Sequence, residues 1–466
     1  MGKEGGDGMP DGTIQGNRLA GHAPDRTWYR LDNAANLYPA VQSARIPTMF
    51  RFSMTLRAPV DPKALQASME ALMPRFPFWQ VRLHRGFFWF YLEHNEARPR
   101  LQKDVRYPNA RLHPRLGTRH MFRVRYWNNR IAVEFSHVLT DGTGGLTYLK
   151  ALVYDYLKRT GADPGDPGDI PTVSERSCPE EAEDAYQRFY QRPLPLPNKG
   201  RRTFHPSGRM LSPGVFLLTT GIAPMAAAAA EAKRRGVTLT VLLAAVYLDV
   251  LQQLQDREEP RIGLKRPIAL SVPVNLRSIW PSRTLRNFTL YVSPEIDPRL
   301  GPYTFDEILQ VVQNFMGAEV NEKAISRQIS RNVGAQRNPV VRATPLFVKR
   351  LVSPLLLYRR MGESLHSGTL SNIGRVQLPE GMTRHVERVE FIPIPNPVNR
   401  TNLSMTGYNG MLYMNFGRVI RETDVEMAFF RHLVKLGIPV RIETNGGWTP
   451  PARKGPVKGA MPPMKG

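Results

Sequence analysis

Residues Arg130 to Ser136 alternate polar and apolar side chains and run straight into His137-Val138-Leu139-Thr140-Asp141-Gly142. A period of two puts Ile131, Val133 and Phe135 on one face of a strand. From Leu146 the period changes. Leu146, Leu149, Val153 and Leu157 recur at spacings of three and four, the stripe of an amphipathic helix. The chain therefore turns from strand to helix within a few residues, and the turn carries a histidine, an aspartate and Gly142-Thr143-Gly144-Gly145. A residue at the end of such a strand projects from a sheet edge into a cleft. The glycines predict a sharp, close-packed turn, with the helix resuming after Gly145.

Similar signals recur along the chain. Phe50 to Ala58 reads as a strand. Asp61 then caps a helix with Pro62 in its first turn, and Pro74 and Pro77 end it. Aromatic Gly86 to Glu93 and alternating Met121 to Trp127 are strand-like. Further on, a strand over 215–220 precedes a helix over 224–235 with Gly236 as its C-cap. Thr238 or Thr240 caps an apolar helix that ends near Gln255. Strands are predicted over 269–274 and 290–296, and a long helix over 304–327. Strands with turns fill 383–442, with a helix over 424–436. Residues 161–213, rich in Pro, Gly and charge, read as a linker holding a short helix over 180–190.

The expected division is a disordered segment 1–26, an N-terminal lobe 27–160, the linker 161–213, a C-terminal lobe 214–446 and a disordered basic tail 447–466. At 466 residues the chain exceeds one ordinary core.

Composition narrows the classes. The chain is 41% hydrophobic and 22% charged, as globular chains are. Its net charge of +24 attracts polyanions: nucleic acid, an anionic membrane surface or a polyphosphorylated cofactor. No zinc-finger spacing, RNP-like aromatic run or basic zipper is present, so nucleic acid is not the expected partner. The single cysteine, Cys178, allows no internal disulfide, and no apolar leader is evident, so a cytoplasmic protein is expected. The apolar run Val237 to Leu251 falls short of the roughly 20 residues that span a bilayer. No transmembrane segment is expected, although a peripheral membrane contact fits the charge.

His137 is a candidate general base. Imidazole takes a proton near neutral pH, for about 10²–10⁴-fold in rate. Asp141 is placed to fix the loop that aims the ring. A His-x-x-x-Asp pair at helical spacing also suits a metal, but the glycines argue against a helix across the motif, and no other His or Cys pair has ligand spacing. No metal is expected. Gly142 to Gly145 lacks the Lys-Ser/Thr ending of a phosphate loop.

Phe135-Ser136-His137-Val138-Leu139-Thr140-Asp141-Gly142-Thr143-Gly144 resembles the His-x-x-x-Asp-Gly motif of the chloramphenicol acetyltransferase-like superfamily. Condensation domains, wax-ester synthases and alcohol acetyltransferases belong to it. Leu31-Asp32-Asn33-Ala34-Ala35 is similar to the opening segment of alcohol acetyltransferase-like proteins. Val272-Pro273-Val274-Asn275-Leu276-Arg277 followed by Arg286-Asn287-Phe288 resembles the second-lobe Arg and Asn-Phe segment, and Ser371-Asn372-Ile373-Gly374 resembles the late Ser-Asn-x-Gly turn.

The resemblance implies an α+β fold of two αβ sandwich lobes with mixed sheets and an active-site tunnel between them. It implies His137 as base, Asp141 as the loop's anchor and Arg277 as its ion-pair partner across the lobes. Gly142 and Gly144 would let chains pass closely. Asn287, Ser371 and Asn372 would shape the channel, one of them helping the oxyanion. The expected reaction is direct acyl transfer, acetyl first, from acyl-coenzyme A as co-substrate to a small alcohol or amine, by a monomer with no permanently bound cofactor. Ser136 stands where condensation domains and wax-ester synthases carry a second histidine, and the plant-type Asp-Phe-Gly-Trp-Gly element is absent. Both departures favour the alcohol acetyltransferase-like branch. The rival readings are a carrier-protein-dependent condensation or ester-forming enzyme, and a binding protein on the same fold.

Overall fold

In the computed structural model, Arg130–Ser136 is the middle strand of a five-stranded sheet ordered Val386–Ile392, Met49–Leu56, Arg130–Ser136, Phe122–Trp127, Gln102–Lys103. The structure describes residues 28–112, 120–191, 194, 201–349, 351 and 365–446. The expected segments 1–26 and 447–466 lie outside them. Phe50 pairs with Phe135 and Phe52 with Val133 across the sheet. Phe122 and Val124 face the same two residues from the other side. All six are buried and pack beneath the helices Pro62–Leu72 and Gly142–Arg159. Each such side chain taken from water contributes about 1.5–3 kcal/mol.

The opposite face of this sheet is polar yet also buried. Arg51, Arg125 and Glu134 are nearly inaccessible. Burial pushes the Glu134 carboxyl up, but the charges of Arg123, Arg51 and Arg125 outweigh it and leave its pKa below the usual value. The alternation of this strand thus separates an aromatic layer from an ionic one, both inside the molecule.

The second sheet is mixed and has eight strands. Seven follow the order Thr289–Val292, Ile268–Asn275, Gly368–Arg375, Thr401–Tyr408, Met411–Arg418, Leu217–Pro224, Arg441–Thr444, and Glu295–Ile296 pairs with Ile268–Asn275. Gly368–Arg375 runs parallel to both its neighbours. The apolar run after Val237 is the helix Leu239–Glu258, capped by Thr238, whose side chain accepts from the Val241 N–H. It is buried against this sheet and the helices Phe305–Glu319 and Asp424–Lys435. No single helix among the described residues is long and apolar enough to cross a membrane.

Several expectations differ from the structure. Val386–Ile392, inside the expected C-terminal lobe 214–446, crosses over and pairs with Met49–Leu56 as an edge of the first sheet. The long helix over 304–327 is two helices, Phe305–Glu319 and Glu322–Arg337, because Asn321 leaves the helical backbone and caps the Ala324 N–H. The strand over 290–296 is two short strands. The helix after the motif starts at Gly142, not after Gly145, because the Asp141 side chain accepts from the Thr143 and Gly144 N–H groups and caps it there.

The described part of 161–213 is packed against both lobes. Arg75 pairs with Glu181 at 2.7 Å, and Glu181 O accepts from the Leu285 N–H. The helix predicted over 180–190 is a 3₁₀ turn, Pro179–Ala182, and one helical turn, Ala185–Arg188. Tyr186 donates to Thr289 O at 2.6 Å.

Candidate active site

Past Ser136 the strand hydrogen bonds end and the chain bends. The His137 N–H donates to Thr48 O at 3.1 Å, and the Ser136 hydroxyl accepts from the Val138 N–H. Ser136 is therefore a buried part of the turn. The imidazole lies between aromatic walls. Tyr38 stacks on it with ring centroids 5.0 Å apart, and Phe50 lies 4.4 Å away, tilted. The residue keeps part of its surface open. Burial lowers its pKa to about 4 against the raising effects of Asn287, Asp141 and Thr140, so the ring is neutral at pH 7.

Asp141 binds five donors. Oδ1 accepts from the Thr143 and Gly144 N–H groups at 3.1 and 3.3 Å. Oδ2 accepts from Arg277 Nη1 at 2.8 Å, the Phe288 N–H at 2.8 Å and Thr289 Oγ1 at 3.0 Å. Burial raises its pKa, but Arg277 and these N–H groups overcome that, leaving the carboxyl below 3.8. A carboxylate so occupied anchors the loop and relays no proton. Arg277 continues the clamp, donating to Thr284 O and Arg286 O at 2.9 and 2.7 Å. Thr140 Oγ1 donates to Leu285 O at 2.6 Å. The strand-to-helix turn of the first lobe is thereby tied along 284–289 of the second.

The backbone leaves no room for a side chain at Gly144. A Cβ at Gly144 would collide with Leu285 O and Thr140 Oγ1. At Gly142 it would lie 2.9 Å from Ile373 Cδ1.

Asn287 is hydrogen-bonded to the motif itself. Its amide nitrogen donates to His137 O at 2.9 Å and to Asp32 Oδ2 at 3.0 Å. Both N–H bonds are then committed, and none remains for an oxyanion. Its carbonyl oxygen faces His137 Nδ1 at 3.4 Å. Asn372 donates to Thr240 Oγ1 at 2.9 Å and accepts from the Gly374 N–H, so these bonds are directed away from the imidazole. Ser371 pairs with Ser404 in the second sheet. Their neighbour Ile373 faces Gly142.

Sequence reasoning missed a layer behind the histidine. Asp32 is fully buried, and it also accepts from the Ala35 N–H at 2.7 Å. Arg286 lies 3.5 Å away. Burial raises the pKa of Asp32, and burial together with the Asp32 charge pushes Asp184 up to about 7. The available signal is an aspartate in the opening segment Leu31 to Ala35, but nothing local points it at residue 287.

A small cleft with about 30 Å³ of enclosed space lies against Pro47, next to Thr48. Asn109, Met210, Phe216, Pro395 and Val419 also line it, from both sides of the expected lobe boundary. Among the described residues no three His, Cys, Asp or Glu side chains gather as a metal set.

The backbone is shared with solved structures. The trichothecene 15-O-acetyltransferase of Fusarium sporotrichioides superposes with a TM-score of 0.57 at 9% identity, over 90% of this chain and 96% of that one. A starter condensation domain of rhizomide synthetase, solved with C8-CoA, gives 0.56 at 12% identity over 88% and 95%. This chain has the chloramphenicol acetyltransferase-like fold. Polyketide synthase associated protein 5 of Mycobacterium tuberculosis shares it, at 0.54 and 15% identity over 87% and 97%. No family model matches the chain, and no curated protein matches its sequence. The mixed α+β sheets match the build of those acyltransferase and condensation folds.

Proposed function

We propose that the chain transfers an acyl group, acetyl first among them, from coenzyme A to an alcohol or amine, with His137 Nε2 as general base. The observation that carries this reading is the orientation of Asn287. Its two acceptor partners, His137 O and Asp32 Oδ2, require the NH₂ group on that side, so its carbonyl oxygen faces Nδ1. Nδ1 then holds the proton and Nε2 the lone pair. Nε2 takes the acceptor's proton as its oxygen or nitrogen attacks the thioester carbonyl. The tetrahedral intermediate then expels the coenzyme A thiolate, which recovers that proton. No covalent enzyme intermediate forms.

The acceptor enters a tunnel between the lobes of one monomer, and Tyr38 and Phe50 give its reacting end an apolar wall beside the imidazole. The positive charge of the chain suits a phosphate-bearing donor, and a single cysteine suits the reducing cytoplasm. Likeness to condensation domains favours a second reading, in which the acyl group arrives on a carrier protein's pantetheine arm.

The deciding experiment measures coenzyme A release from acetyl-CoA and longer acyl-CoAs with a panel of alcohols and amines, beside His137→Ala. Acceptor-dependent release that drops at least about a hundredfold in the variant supports the base. Equal release by both proteins overturns it. Turnover with a loaded carrier alone transfers the mechanism to the second reading.

A further inference from the structure

One surface patch plays no part in this chemistry. The hairpin Val81–Arg85 to Phe90–His94 turns at Gly86, whose N–H donates to Trp89 O at 2.9 Å. The turn carries Phe87 and Phe88, 68% and 42% exposed, with rings edge to face at 4.8 Å. Residues from the other end of the chain lie beside it. The Leu346 N–H donates to Phe87 O at 2.7 Å. Lys349 Nζ donates to Phe88 O at 3.0 Å and sits 3.5 Å above the Trp89 ring. This second segment exposes Val340, Val341 and Phe347, by 73%, 39% and 59%. It follows the helix Glu322–Arg337, whose Gln336 bonds Asn33 at 2.8 Å, next to Asp32. The patch is thus joined to the body of the site.

Its exposed charges are basic. From Lys323 to Lys349 the chain holds Arg327, Arg331, Arg337 and Arg342 as well, and no Asp or Glu. In the hairpin, Glu93 holds both Arg82 and His84 at 2.8 Å, which leaves Arg85 at the turn as its outward cation. Arg85 and Arg342 are exposed. Clustered exposed apolar side chains mark an interaction site, and a basic rim selects a negatively charged partner. A bilayer with anionic headgroups offers both an apolar boundary layer and that charge. We propose that Phe87, Phe88 and Phe347, with their basic rim, dock this protein on an anionic lipid surface. The proposal is independent of the acyl-transfer reading.

Co-sedimentation of the full chain with vesicles of phosphatidylcholine alone, or of phosphatidylcholine with phosphatidylserine, tests it. Binding is expected to the mixed vesicles only. It should weaken about tenfold or more in the double variant Phe87→Ser, Phe347→Ser, which leaves every charge in place. Ile262→Ser with Leu264→Ser, at another exposed apolar site (63% and 56%), should bind as the unaltered chain does, and melting curves confirm that both variants fold. Equal binding by the folded Phe87/Phe347 variant overturns the proposal, as it reduces the effect to bulk charge. So does indifference of the unaltered chain to phosphatidylserine, including when it captures an acidic carrier protein instead.

Discussion

Asp141 Oδ2 and Arg277 Nη1, 136 residues apart in the chain, lie 2.8 Å apart with both side chains buried (3% and 11% exposed). Removing one member of such a pair leaves a charge without its partner in the interior. Arg277→Ala is expected to cost about 3–5 kcal/mol in denaturant unfolding. Arg277→Lys should recover part of that, since lysine keeps the charge but not the planar fork that also reaches Thr284 O and Arg286 O. Asp141 has a folded-state pKa below its ordinary 3.8. Its contribution is therefore complete above the unfolded-state value and lost as pH falls through the lowered folded value. The difference between the Arg277→Ala variant and the unaltered chain should narrow in that acid window.

The histidine predicts a separate acid limb. Its pKa lies at about 4, and the base must be unprotonated to act. The proton-accepting limb of kcat/KM should fall as pH drops through about 4, with no inflection near the unperturbed 6.5. Stability has its own window. Unfolding returns the imidazole to 6.5, so the unfolded chain binds more protons between 6.5 and 4, and stability falls as pH drops across that interval. A pH–rate profile and a pH series of unfolding curves, each paired with His137→Ala, separate the two effects.

Asp32 and Asn287 should act on turnover through the tautomer. In Asp32→Asn, the acceptor that fixes the Asn287 amide is replaced by a group that also donates, and the amide is free to turn. The expected loss is about tenfold to a hundredfold in kcat, with KM little changed. Nitrogen-15 spectra of histidine-labelled protein should show His137 protonated at Nδ1 in the unaltered chain and a mixture in the variant. A single unchanged tautomer in Asp32→Asn would remove the positioning role even if activity fell.

Two glycines on helices should respond in opposite ways. Alanine in place of glycine within a helix ordinarily stabilises by about 0.4–1 kcal/mol. Gly334, on the helix Glu322–Arg337, has open space around the position of a Cβ, and Gly334→Ala should raise the melting temperature. Gly144→Ala meets Leu285 O and Thr140 Oγ1 at the joint between the lobes, and should cost about 1–3 kcal/mol. It should also lower activity by displacing the loop that carries His137. Thermal melts of the two variants, with acyl transfer measured alongside, give the comparison.

The elements around the motif could be read from local periodicity because both faces of Arg130–Ser136 and the stripe from Leu146 are set by their own side chains. Thr238, Asp61 and Gly236 marked helix ends through chemistry confined to one turn. Long-range pairings left no such mark. Val386–Ile392 alternates only from Arg388 to Phe391, and nothing in that pattern names Met49–Leu56 as its neighbour. Asp32 meets Asn287 across 255 positions, a contact written in neither segment. The break at Asn321 was passed over because one capping side chain interrupts a stripe that continues on both sides. The glycines of the motif read as a loop through their backbone freedom, while the need for Gly144 to be small is set by Leu285, far away in sequence.

The edge strand Val386–Ile392 also fixes the order of events during synthesis. Until that stretch leaves the ribosome, Met49–Leu56 has a row of unpaired backbone groups on one side, a template for another chain. The catalytic turn likewise waits for Arg277 and Asn287. Pairings so distant in sequence make folding slow and leave partly finished chains exposed to association. The first lobe is therefore completed by a segment made long after its other strands.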